Sequence, residues 1–101
     1  MKKYTAESVT EGHPDKVCDI IADSVLDECL RFDMASRVAC EVMATKGHIL
    51  VAGEIAGSHI PRVPEIVRDV LRRVGYPADR YTLEVLLLNT QNVILSLVGR
   101  A

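Results

Sequence analysis

Apolar positions along the chain recur with two different periods, and the alternation between them outlines the fold. From Asp15 to about Phe32 the spacing is helical: Cys18, Ile21, Ala22, Val25 and Cys29 form one stripe, widened by Val17, Leu26 and Leu30. Asp19, Asp23 and Asp27 recur every four residues on another stripe, the pattern of a wet helix face. The period then drops to two. Val38, Cys40, Val42 and Ala44 alternate with Ala39, Glu41 and Met43, and Ile49, Val51, Gly53 and Ile55 alternate with Leu50, Ala52 and Glu54. Lys46-Gly47 between them predicts a tight hairpin turn. A loop, Gly57 to Pro61, leads into a second helix that buries Val63, Ile66, Val67, Val70, Leu71 and Val74. Gly75 and Pro77 end that helix, and a further strand runs from about Tyr81 to Leu88 or slightly beyond. With a short strand at Tyr4 to Thr10, the order is β-α-β-β-α-β. That is a single α+β domain of the split βαβ type, with both helices on one face of the sheet.

Length and composition narrow the function. The chain has 101 residues, 49% of them hydrophobic and 26% charged, enough for one soluble domain and one core. A net charge of -2, with no basic cluster, argues against a nucleic-acid partner. The start, Met1-Lys2-Lys3 followed by polar residues, does not read as a secretory leader. The apolar run Ile49 to Ala52 is far below membrane-spanning length. Cys18, Cys29 and Cys40 are odd in number and not arranged as Cys-x-x-Cys, which predicts free thiols in a reducing cytoplasm.

Two places could carry chemistry. A two-residue turn at Lys46-Gly47 pairs Thr45 with His48, so Glu41 faces Ala52 and Ala39 faces Glu54. Glu41 and Glu54 then project from the same side of the sheet as diagonal neighbours, with backbones about 7–8 Å apart. If that side is covered, the carboxylates need a cation, a ligand amine or hydrogen-bond donors; if it is open, they keep a surface soluble. Spacing leaves both readings open. The second place is Glu11-Gly12-His13-Pro14-Asp15-Lys16 at the start of the first helix. Free helical N–H groups favour phosphate, His13 can donate to an anionic oxygen, and Asp15 is a hard oxygen donor suited to magnesium. A capping histidine and a first-turn aspartate also occur without function. His48 and His59 at turns are expected to be solvent-exposed, and Arg72 and Arg73 to complement a helix dipole.

Glu7-Ser8-Val9-Thr10-Glu11-Gly12-His13-Pro14-Asp15-Lys16 resembles the opening motif of the S-adenosylmethionine synthetases (methionine adenosyltransferases) nearly residue for residue. Cys18 to Asp27, Val38-Ala39-Cys40-Glu41, Leu50 to Ile55 and Val74-Gly75-Tyr76 continue the resemblance in the family's order, as far as about Gln91. It implies an ATP-binding, metal-dependent transferase of the cytoplasm. Such an enzyme forms S-adenosylmethionine from ATP and L-methionine and releases phosphate and diphosphate. Carried over residue by residue, His13 would contact the ATP phosphates and act in catalysis, and Asp15 would bind magnesium. Glu41 would help hold potassium. Glu54 would contact methionine, as would Gln91, or Asn92 if the register shifts by one. In the family the glutamate face is covered by a second subunit, which implies a homo-oligomer or pairing with a full-length synthetase.

The resemblance also has an edge. Family members carry three such domains, so a chain limited to the first is expected to be inactive alone and to serve at most as a binding or oligomerisation module. Residues 1–91 form the family domain, and residues 92–101 read as a divergent tail where the family has a Gln-Ser-Pro-Asp-Ile type motif. Asn92-Val93-Ile94-Leu95 can be encoded AAC-GTG-ATA-TTG, which read two bases later gives Arg-Asp-Ile, so a single-base frameshift at Asn92 or Val93 would account for the tail.

Overall fold

A computed structural model describes residues 14–89 and 92–101. They form helix α1 (Pro14–Phe32), strands β1 (Arg37–Thr45) and β2 (His48–Ala56), helix α2 (Val63–Val74), a 3-10 turn (Ala78–Arg80), and strands β3 (Thr82–Asn89) and β4 (Asn92–Arg100). The anticipated strand over residues 4–10 lies outside the described residues.

The sheet order is β1-β2-β3-β4. β1 and β2 are an antiparallel hairpin, β2 and β3 run parallel across the α2 crossover, and β4 returns antiparallel to β3. Lys46-Gly47 makes the hairpin turn, with Gly47 at φ 76°, a conformation that glycine takes without a Cβ penalty. Thr45 pairs with His48, Glu41 with Ala52 and Ala39 with Glu54, the register that the turn length predicts.

Both helices cover one face. Val17, Ile21, Val25 and Cys29 of α1 join Val63, Val67, Val70 and Leu71 of α2 over Ile49, Val51 and Ile55 of β2 and Leu83, Val85 and Leu87 of β3. All are buried, and each large aliphatic side chain so removed from water contributes roughly 1.5–3 kcal/mol. The domain is therefore α+β, with one helical layer on a mixed sheet that has four strands among the described residues. The stripe of α1 is centred on Val17, Ile21 and Val25, one position away from Cys18 and Ala22. Leu26 and Leu30 lie at its exposed margin.

Gly53 lets β1 approach β2. A Cβ there would overlap the Ala39 carbonyl oxygen and lie 2.9 Å from Cys40 Cα. Helix α2 carries Pro64 in its first turn, where a backbone N–H would have no helical partner and its absence costs nothing. It ends at Gly75, φ 94°, whose N–H donates to Leu71 O, while the Tyr76 N–H closes the last turn on the same oxygen at 2.8 Å.

The residues read as a divergent tail, 92–101, include strand β4. Its Ile94, Leu95 and Leu97 pack against the core, and Ala101 N–H donates to Tyr81 O at 3.1 Å. The β-branched and aliphatic residues of 92–98 suit an added strand on the free edge of β3. Among the described residues the edges of the sheet are β1 and β4.

Candidate functional site

The face of the sheet away from the helices carries Ala39, Glu41 and Met43 on β1, Leu50, Ala52 and Glu54 on β2, and Glu84, Leu86 and Leu88 on β3. Glu41 and Glu54 are both exposed, and neither makes a hydrogen bond or ion pair with another described residue. Around them Met43 is 62% and Leu86 41% exposed, so an apolar surface surrounds the carboxylates, and no described residue neutralises them. Glu84, opposite Leu50, adds a third carboxylate that the sequence reading did not single out.

A hollow of about 350 Å³ opens where β1 begins and β2 and β3 end, lined by Arg37, Ala39, Glu54, Ala56 and Asn89 among others. A larger groove, about 570 Å³, runs between α1 and α2 on the helical side and is lined by charged residues including Arg31, Arg62 and Asp69. The sheet separates it from Glu41 and Glu54, so the two hollows cannot share a ligand.

The remaining candidates divide. His13, the side chain of Asp15, and Gln91 lie outside the described residues. The backbone of Asp15 is in the first turn of α1. Asn92, the alternative to Gln91, opens β4 opposite Asn89. Among the described residues no group of three or more His, Cys, Asp or Glu side chains is placed to hold a metal ion. Glu41 and Glu54 offer hard carboxylate oxygens, which fit potassium or an ammonium group, and supply only part of a shell. Among the described residues Cys18, Cys29 and Cys40 form no disulfide, and burial pushes the Cys40 thiol up to about 11. Asp19, Asp23 and Asp27 are exposed, as a wet face requires.

His59 is a correction. Expected at the surface, it is half-buried: its Nε2 donates to Glu28 Oε2 at 2.9 Å and its ring stacks on Phe32 at 4.1 Å. Glu28 is itself only 4% exposed and also accepts from the Arg62 backbone N–H at 2.8 Å. Burial acts to raise the Glu28 carboxyl, but the bonds from His59 and the Arg62 amide and guanidinium outweigh it and hold the pKa below the ordinary value. Five residues on, Asp33 accepts from Ser58 N–H at 3.0 Å and Ser58 Oγ at 3.1 Å. Bonds from Ser58 N–H, Ala35 N–H and the Ser58 hydroxyl lower its pKa. Two carboxylates at the end of α1 thus fix the loop that follows Glu54. The signal was in the sequence: Glu28 falls on the buried stripe with Ile21 and Val25, beside Cys29, where a charge needs a partner.

Known proteins share this fold and sequence. Residues 1–98 match the family model described as S-adenosylmethionine synthetase, N-terminal domain. An S-adenosylmethionine synthase of Brachyspira hyodysenteriae is 55% identical over 76 residues, covering 75% of this chain and 19% of the relative. One from Mycoplasma capricolum is 47% identical over 78 residues, 77% of this chain and 20% of the relative. The chain therefore spans about a fifth of the length of these relatives. The solved structure of an unusual S-adenosylmethionine synthetase from Campylobacter jejuni superposes with a TM-score of 0.72 at 33% identity, over 82% of this chain and 25% of that one.

Proposed function

The chain belongs to the S-adenosylmethionine synthetase family through its amino-terminal domain, and from that premise we propose that it carries part of a methionine adenosyltransferase site. In the proposed reaction the methionine sulfur bonds to the ribose C5′ of ATP, the C5′–oxygen bond breaks, and its electrons leave with the triphosphate. Hydrolysis of the triphosphate then releases phosphate and diphosphate. Glu54 holds the methionine ammonium group, and Gln91 or Asn92 makes a further contact with the amino acid. His13 donates to the phosphate oxygens as charge builds on the leaving group. Magnesium beside Asp15 and potassium beside Glu41 would supply positive charge that neutralises the polyphosphate.

The observation that carries this reading is Glu41 and Glu54 on one sheet face, exposed and unpaired among the described residues, in the register that the hairpin dictates. The chain alone supplies too little of each ligand's shell to turn over, because catalytic groups that act as a unit fail together. Incubation of the purified chain with ATP, methionine, magnesium and potassium is expected to give no S-adenosylmethionine; a measurable product sinks the claim of inactivity.

A second reading is favoured by the exposed Met43 and Leu86 around those glutamates: a non-catalytic module of the cytoplasm that covers this face with an intact synthetase subunit or a second copy. Co-purification with a full-length subunit supports it, and a monodisperse monomer in the presence of that subunit opposes it. The boundary at Gln91 and the out-of-frame origin of residues 92–101 belong to the same proposal. Sequencing the gene from the codon for Leu88 onward tests them, and a coding sequence with no in-family reading in another frame removes the frameshift.

A further inference from the structure

The hollow beside Glu54 contains a second charge that the function proposed above does not use. Arg37 pairs with Ala56 and Ala39 with Glu54, so Arg37 and Glu54 are diagonal neighbours on the open face, with backbones about 7–8 Å apart. Both line the hollow of about 350 Å³, together with the short side chains of Ala39 and Ala56. No ion pair joins Arg37 to Glu54, and Arg37 makes no hydrogen bond or ion pair with another described residue. One fixed cation and one fixed anion therefore flank an alanine-floored space without neutralising each other.

We propose that Arg37 binds the carboxylate of an α-amino acid whose ammonium group is held by Glu54. The inference rests on the reading of Glu54 as the methionine contact and adds the group that recognises the other end of the zwitterion. A free α-amino acid carries opposite charges on neighbouring atoms, which matches a guanidinium and a carboxylate facing the same hollow. The planar fork of arginine can donate two parallel hydrogen bonds to a carboxylate, a geometry that a lysine would not reproduce. The alanine methyls leave the space free, and a larger side chain at residue 39 or 56 would fill it. Arg37 is thus a specificity-determining residue that distinguishes the free amino acid from its esters and amides.

The test titrates the full chain, followed by amide chemical shifts, with L-methionine, L-methionine methyl ester and 3-(methylthio)propylamine. Both comparison ligands keep the amine and thioether and lack a free carboxylate. Wild type is expected to bind methionine about tenfold more tightly than either, and Arg37→Gln to lose about tenfold for methionine and nothing for the other two. Arg37→Lys should recover only part of the loss. Glu54→Gln should weaken all three ligands. If Arg37→Gln leaves the methionine-to-ester ratio unchanged while Glu54→Gln weakens all three, the role of Arg37 is overturned and that of Glu54 stands. If none of the ligands shifts a resonance of this face in wild type, the Glu54 reading fails and the Arg37 assignment falls with it. Arg37 is exposed at the first position of β1, so its variants should keep the wild-type circular dichroism spectrum.

Discussion

Replacing Glu28 by glutamine removes one charge from the interior and leaves size and helix propensity nearly unchanged. In the wild type the carboxylate accepts the Arg62 amide at 2.8 Å and His59 Nε2 at 2.9 Å, from a residue that is almost fully buried. Hydrogen bonds to a charged group contribute about 1.5–3 kcal/mol, and a neutral acceptor is roughly half as strong. The guanidinium of Arg62 approaches at 3.4 Å from a side chain that is 60% exposed, so its share is close to nothing. Glutamine can still accept one of the two short bonds and costs less to bury than a carboxylate. The net loss for Glu28→Gln is therefore about 1–2 kcal/mol near neutral pH, or roughly 5–12 °C in Tm for a domain of this size. Urea unfolding followed by circular dichroism at several pH values measures it. Because the folded-state pKa of Glu28 is depressed, its stabilisation is complete above the unfolded value of about 4.5. It is lost as pH falls through the folded value. The gap between wild type and variant should narrow on acidification. A gap under about 0.5 kcal/mol at neutral pH, or one as large at about pH 3, would refute the assignment of Glu28 as the buried clip for the loop after β2.

Other substitutions probe separate parts of the fold. Gly53→Ala drives a Cβ into the Ala39 carbonyl and should cost about 1–3 kcal/mol; an unchanged urea midpoint would show that β1 can move aside freely. Gly75→Ala places a side chain at φ 94° and should cost about 1 kcal/mol by the same measurement, with no change in the sheet. The Cys40 thiol, raised from 9.0 to about 11, should react with iodoacetamide at mildly alkaline pH about a hundredfold more slowly than an unperturbed thiol, and normally once unfolded. Equal rates in the folded and unfolded chain would contradict its burial. Deleting residues 92–101 strips Ile94, Leu95 and Leu97 from the core and frees the edge of β3, at a cost of about 3 kcal/mol or more. Light scattering should then detect association, and a soluble variant with the wild-type midpoint would make β4 dispensable.

Sequence alone determined the elements whose signals are local. The period of apolar residues set α1, β1, β2, α2 and β3, because burial on one face requires that spacing whatever the neighbours are. The two-residue turn at Lys46-Gly47 set the hairpin register, and with it the shared face of Glu41 and Glu54, because side chains alternate and a slip by one would bury both charges. The tertiary structure decided what depends on contacts distant in the chain. That the end of α1 would meet the loop 31 residues later, burying His59 against Glu28, follows from how α1 and α2 pack. Asp33 and Ser58 meet for the same reason, although neither interrupts a pattern. Strand β4 forms because β3 offers an unpaired edge, a fact invisible in residues 92–100 themselves. Arg37 and Glu54 share a hollow only once β3 brings Asn89 to its margin and the alanines leave it empty. Spacing along the chain fixes which side of an element a residue occupies; only packing fixes what stands opposite.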